Sequence, residues 1–234
     1  VVEQNLNSVA DFGRKSTITI TRNGDLVTKM YLKVTLSQVT SRDGLGKFGW
    51  VRRLGHALID YVEVEIGGSK IDKQYGTWLD LWYELTHTSA QERGFNQMVG
   101  DIDALTRLDA PDANNVVKGE HTLYIPLQFW FNRNNGLALP LIALQYHDVR
   151  LNFSFTNADR LYVSTSNFSA NAISMKEATL LVDYVYLDSE ERRRFAQVGH
   201  EYLIEQLQYN NGENVTQKNL RSKLQFNHPC KELV

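Results

Sequence analysis

Two carboxylates set two residues apart, Glu63 and Glu65, are the nearest thing in this sequence to acid–base machinery. A sandwich-type glycoside hydrolase works with such a pair, one as acid and one as base or nucleophile. The run 56–66 gives them their place. Leu58, Val62, Val64 and Ile66 recur with a period of two and share one face of a strand, which leaves both glutamates on the other. A solvated strand face whose charges discourage edge pairing is the simpler reading. The six histidines, His56, His87, His121, His147, His200 and His228, show no metal-ligand spacing, and neither HExxH nor CxxC occurs. His147-Asp148 supplies two members of a nucleophilic triad, but no GxSxG elbow accompanies them. Gly67-Gly68 is followed by no GxxxxGK or GxGxxG pattern. The sequence therefore predicts no catalytic residue, no cofactor-binding residue and no metal ligand. Arg52-Arg53 beside Trp50, and Arg192-Arg193-Arg194, are the basic clusters. They fit ion pairs, with Glu190 and Glu191 adjacent to the second, better than stacking on nucleic acid. Asn152, Asn167 and Asn214 each open an Asn-x-Ser/Thr triplet and are candidate glycosylation acceptors. Asn167, in a long loop, is the most accessible of them by pattern; Asn152 falls on an outward strand face.

Composition narrows the class. Across 234 residues, 42% hydrophobic and 22% charged content are those of an ordinary globular protein. A net charge of −2 carries no basic surplus for wrapping nucleic acid. The single cysteine, Cys230, rules out an internal disulfide framework and a multi-cysteine zinc site. No apolar run reaches membrane length and no signal peptide is visible. Val1 in place of Met indicates that the N-terminus is not the native one.

The elements that position these residues are mostly strands. Residues 1–13 show little periodicity. A strand over 16–21 places Ile18 and Ile20 on one face, and Asn23-Gly24 predicts a hairpin into a return strand, 26–36, with Met30, Leu32, Val34 and Leu36 inward. After the 56–66 strand, Gly67-Gly68 turns the chain into a short strand at 70–73. Trp78, Leu81, Trp82 and Leu85 then fall at helical spacing, which predicts one amphipathic helix over 78–86 with Thr77 and Asp80 as a capping box. Residues 89–120 and 157–176 read as long excursions, the second with a short strand at 161–164. The central stretch is PLQFWFNRNNGLALPLIALQYHDVRL, residues 126–151. Alternation of Leu123, Ile125, Leu127, Phe129 and Phe131 predicts a strand running to residue 131. Gly136 would take a positive φ in the break, and a second strand follows with Val149, Leu151, Phe153 and Phe155 inward. The strand 178–187 is apolar on both faces and is expected to be covered on both. Ser189 should cap a short helix, followed by strands at 202–208 and 220–234.

These stretches also carry a resemblance. GLALPLIALQYH after an aromatic strand, RNGDL at 22–26, VEVEIGGSKID at 62–72, LDSEERRRFAQ at 187–197 and HEYLIEQLQ at 200–208 resemble, in that order, the major capsid proteins of nucleocytoplasmic large DNA viruses of algal virus and iridovirus type. The residues alone give a mostly-β sandwich with one amphipathic helix and two long loops, to which a jelly roll is one known answer; the all-β jelly-roll β-sandwich is what the resemblance implies. The resemblance implies more. Residues 1–188 would form the first of two tandem jelly rolls, 189–200 a helical linker and 201–234 the start of a second, truncated roll. It implies a structural, non-enzymatic protein of the virion capsid, assembled in the host cytoplasm. Its homotrimers would form pseudo-hexagonal capsomers of an icosahedral shell. Partners would be itself, neighbouring capsomers and minor capsid proteins, with no direct contact to nucleic acid or to the virion's inner membrane, and no cofactor. A carbohydrate-binding or carbohydrate-cleaving jelly roll is the competing class.

Overall fold

The computed structural model describes residues 1–210, 212, 214, 216, 218, 219, 221 and 223–234. The chain opens with β1 (Val2–Asn5), β2 (Lys15–Thr19), β3 (Leu26–Leu36), β4 (Val39–Thr40) and β5 (Phe48–Trp50). A short helix, α1 (Leu54–Leu58), leads into the hairpin β6 (Ile59–Ile66) and β7 (Ser69–Tyr75), whose turn is made by Gly67 and Gly68 at φ 58° and 83°. Three helices follow, α2 (Gly76–Thr86), α3 (Ser89–Val99) and α4 (Asp103–Thr106). The middle of the chain supplies β8 (Val116–Lys118), β9 (His121–Pro126), α5 (Trp130–Arg133), β10 (Leu139–Pro140) and β11 (Val149–Phe155). The last elements are β12 (Tyr162–Ser164), β13 (Met175–Val185) and α6 (Ser189–Gln197).

Two antiparallel sheets make the sandwich. One has the order β1-β13-β3, with β9 and β10 both pairing the far side of β3; the other has the order β2-β11-β6-β7. Between them lies the predicted apolar set. Ile18, Met30, Leu32, Val34, Leu36, Val62, Val64, Leu151 and Phe153 are all essentially inaccessible. The period of two therefore sorted the inner faces correctly, and the jelly-roll class stands. Two small ladders, β5 with β12 and β4 with β8, organise the long loops at one end.

Several local expectations are corrected. Asn23-Gly24 makes no hairpin, because β2 and β3 belong to opposite sheets, and Gly24 is not among the positive-φ glycines. Its lack of a side chain serves close packing instead: a Cβ there would lie 2.7 Å from Tyr184 Cβ. The central stretch likewise crosses between sheets, β9 lying in one and β11 in the other. Its first strand stops at Pro126, and residues 130–133 coil into α5, so Phe129, Trp130 and Phe131 are all buried regardless of parity. Gly136 sits in a 3-10 turn without positive φ, its N–H donating to Asn134 Oδ1 at 2.8 Å. His56 to Leu58 are helical rather than extended.

The helical content exceeds one helix. α3 carries no apolar stripe in its sequence, SAQERGFNQMV, which is polar around most of its circumference, with Val99 its one buried residue. α2 lies where the helical spacing predicts it, but neither Thr77 nor Asp80 caps it, and the face it buries is Leu79 and Tyr83. Leu81 and Leu85 of the expected stripe are 41% and 59% exposed. α6 is capped by Asp188, whose side chain accepts the Glu191 N–H at 2.8 Å, rather than by Ser189. Within the single chain β13 buries Leu180 and Val182, while Val185 and Tyr186 at its end are exposed. No strand forms over 202–208, nor among the described residues of 220–234; Leu220 and Ser222 lie outside the described residues.

Candidate functional site

Glu63 and Glu65 do not form a solvated acid–base pair. Glu63 is 5% exposed, held by Lys70 Nζ at 3.2 Å and by Asn152 Nδ2 at 3.3 Å, and the same amide reaches Glu65 Oε2 at 3.4 Å. Parity read the face correctly but not its burial: flanking long side chains cover the outer surface of β6. Asn152 is spent in this network, since its Oδ1 also accepts from Thr17 Oγ1 at 3.0 Å. Asn167 is exposed on the loop beyond β12 and accepts a 2.8 Å bond from Thr165 Oγ1; Asn214 is exposed.

The histidines stay apart. Among the described residues no group of three or more His, Cys, Asp or Glu could hold a metal. His56 meets Asp80 at 3.3 Å, His87 meets Tyr83 O at 2.8 Å, and His200 meets Phe195 O at 2.8 Å. Burial pushes His121 below its usual range, so it stays neutral near pH 7. His147 is exposed at the turn before β11.

The basic clusters do make ion pairs. Arg53, 17% exposed, binds Asp80 at 2.8 Å and Glu84, and its guanidinium lies 5.0 Å from the Tyr83 ring. Arg52 binds Asp101 at 3.0 Å, Arg192 binds Asp25 at 3.0 Å, and Arg193 binds Glu190 at 2.7 Å. Hydrogen bonds from His56 and Arg53 hold the Asp80 carboxyl down at about 2. This network pins α1, α2 and the end of α3 against one another. Trp50 is core and its ring stacks on Phe12.

Two further buried charges, Lys118 and Asp72, lie outside the residues singled out from the sequence. Lys118 Nζ, 2% exposed, donates to Ala104 O, Arg107 O and Asp109 Oδ2 at 2.7–2.9 Å. It caps the last carbonyls of α4 and fixes the loop end of the sandwich. It sits in a stretch with no pattern to flag it. Asp72, 5% exposed, accepts from Lys73 N, Leu207 N and Gln74 Nε2 at 2.9–3.1 Å. Burial pushes its carboxyl up from the ordinary range. Its signal was there: a carboxylate at an inward position of a strand. An apolar groove of about 420 Å³ lies nearby, between the 137–144 turn, α6 and residues 198–204. Large apolar side chains also stand out on loops and ends, Tyr146 at 95% and Tyr186 at 66% exposure among them. No helix among the described residues is long and apolar enough to cross a membrane.

Comparison with known proteins identifies a family. Residues 1–188 match a family model described as the major capsid protein N-terminus, and residues 191–234 match one described as the large eukaryotic DNA virus major capsid protein. The chain is 48% identical to capsid protein 1 of Acanthamoeba polyphaga mimivirus, over 99% of this chain and 41% of that protein. It is 49% identical to the major capsid protein of Pyramimonas orientalis virus, over 100% of this chain and 54% of that one. The crystal structure of PBCV-1 VP54 superposes with a TM-score of 0.70 at 36% identity, covering 88% of this chain and 46% of that one. The chain thus spans about half the length of the relatives it matches.

Proposed function

This chain belongs to the major capsid proteins of large eukaryotic DNA viruses, and from that premise we propose that it builds the virion shell as the first sandwich of a capsid subunit. The observation that carries the reading is the 0.70 TM-score at 36% identity to PBCV-1 VP54. In this reading residues 1–188 are one jelly roll, 189–200 a helical linker and 201–234 the opening of a second. Three such subunits, two sandwiches each, form a pseudo-hexagonal capsomer. The subunit's partners are its own copies, neighbouring capsomers and minor capsid proteins, and it touches neither nucleic acid nor an inner membrane directly. It performs no catalysis and is assembled in the host cytoplasm. The loop end, braced by Lys118 and the β5–β12 ladder, supplies outward and subunit contacts. Glycans, where present, sit at Asn167 or Asn214, with Asn152 disfavoured by its bonds to Thr17 and Glu63. The carbohydrate-active alternative loses its carboxylate pair to Lys70 and Asn152.

Light scattering on the full-length subunit tests the proposal. A stable trimer is expected. A monomer at all concentrations, particularly one that binds on a glycan array, would overturn it.

A further inference from the structure

β7 is an outermost strand, paired with β6 on one side only among the described residues. A bare strand edge is a template for pairing with another chain. Here the other side is occupied, without becoming a sheet. The Gln206 side-chain amide donates to Ile71 O, and Leu207 N donates to Asp72 Oδ1 at 3.0 Å. Both bonds use a side chain on one partner, so residues 204–209 lie beside β7 with no backbone ladder. Contacts from other elements reinforce them. Arg133 of α5 binds Glu205 Oε2 at 2.8 Å, and its guanidinium lies 4.5 Å from the Trp82 ring of α2. The Tyr209 and Tyr75 rings lie 4.9 Å apart, and Ile204 packs against the core.

We propose that Asp72, Arg133 and Trp82 form a clasp whose occupant is this chain's own 204–209 segment, and that the clasped segment keeps the β7 edge from pairing with a second copy of the chain. Asp72 is the informative residue. A carboxylate at 5% exposure is costly unless its lone pairs are filled. Two of its three donors, Lys73 N and Gln74 Nε2, come from β7 itself. Leu207 N is the donor from elsewhere, so the site is complete only when the segment is down. Arg133 is held in reach of Glu205 by the Trp82 face, which limits the freedom it loses on pairing. The inference stands on this geometry and does not depend on the capsid reading.

The test is hydrogen–deuterium exchange with light scattering on the 234-residue chain. In the unmodified chain, peptides over 204–209 should exchange at least tenfold more slowly than unstructured peptides. Arg133→Ala should speed their exchange roughly fivefold, the scale of a partly exposed ion pair, and should raise concentration-dependent association. Asp72→Ala should do the same. Asp72→Asn should lose less protection than Asp72→Ala, because its carbonyl still accepts from Leu207 N, while its new amide faces Gln74 Nε2, which turns away only by giving up its 2.9 Å bond to Gln128 O. If Asp72→Ala does not fold, Arg133→Ala carries the test, since Arg133 lies off β7. Intrinsic-rate exchange of 204–209 in the unmodified chain would overturn the clasp. Faster exchange of the segment in Arg133→Ala with no gain in association would overturn the protective role.

Discussion

The two ends of the sandwich are each flanked by a terminal stretch of chain, and the two stretches do it by different means. β1 joins its sheet as a true strand, with Val2, Glu3, Gln4 and Asn5 opposite Val182, Leu181, Leu180 and Thr179. Residues 204–209 lie along β7 through side-chain bonds, ring contacts and one ion pair. The sequences suggest the reverse. Residues 1–13 show little periodicity, whereas EYLIEQLQ reads as a strand. The difference teaches that an edge and its occupant decide together. β13 offers β1 an unobstructed edge beside Leu180 and Val182, while Asp72 and Ile71 meet the 204–209 segment through single polar groups that set it alongside the strand.

The sharpest way to expose this contrast is to weaken the strand on which β1 depends. Leu180 is fully buried at the centre of β13. Leu180→Ala removes packing and leaves a cavity, with an expected loss of about 2–5 kcal/mol in urea unfolding. Amide protection of β1 and β13 should fall together, because they share one ladder. If β1 stays protected while β13 opens, the two are not one cooperative unit.

A smaller loss should follow from removing the polar anchor of β1. Gln4, 8% exposed, donates to Tyr184 Oη at 2.5 Å and accepts from Thr21 N at 3.2 Å. Gln4→Ala leaves the Thr21 N–H without that acceptor, and the expected cost is about 1–3 kcal/mol. Exchange should quicken at residues 2–5 and 21 and stay unchanged at 204–209. Equal effects at both ends would erase the distinction between a laddered and a clasped edge.

How much of this could be read in advance follows the same division. The inner faces were legible residue by residue, since period two maps directly onto burial in Met30, Leu32, Val34 and Leu36 or Val149, Leu151, Phe153 and Phe155. Sheet membership was not. Asn23-Gly24 looks locally like a hairpin, yet the chain crosses there to the opposite sheet and needs the glycine for Tyr184. Helix α3 was hidden by its polar surface, and α2 buried Leu79 and Tyr83 rather than its tryptophan stripe because Arg53 and His56 fix Asp80. The pinning charges, Lys118 and Arg133, depend on partners 9 and 72 residues away in the chain, Asp109 and Glu205. No local window contains both members of the second pair.

The smallest effect is the response of the two edges to acid. Glu3 on β1 is held below the ordinary glutamate range by hydrogen bonds from Lys33 and then Thr179. A depressed carboxylate contributes stability that is present above its unfolded value, about 4.3, and is lost as pH falls through the lower folded value. Asp72 is shifted upward, chiefly by burial. The folded state then binds its proton more readily than the unfolded chain, so acidification from the raised folded value down to about 3.9 adds stability. Glu205, lowered first by its Lys231 bond, opposes Asp72 within the same segment. Between pH 6 and 4, protection at β1 should therefore stay level and then begin to fall. At 204–209 the Leu207 N–H bond favours the ionised Asp72 carboxylate while burial favours the protonated one, so protection there in Glu205→Gln, which leaves Asp72 as the titrating group, should change less than at β1. Exchange measured across that range and corrected for intrinsic rates checks it. A fall at 204–209 in Glu205→Gln that matches the fall at β1 would show that burial does not offset the Leu207 bond at Asp72.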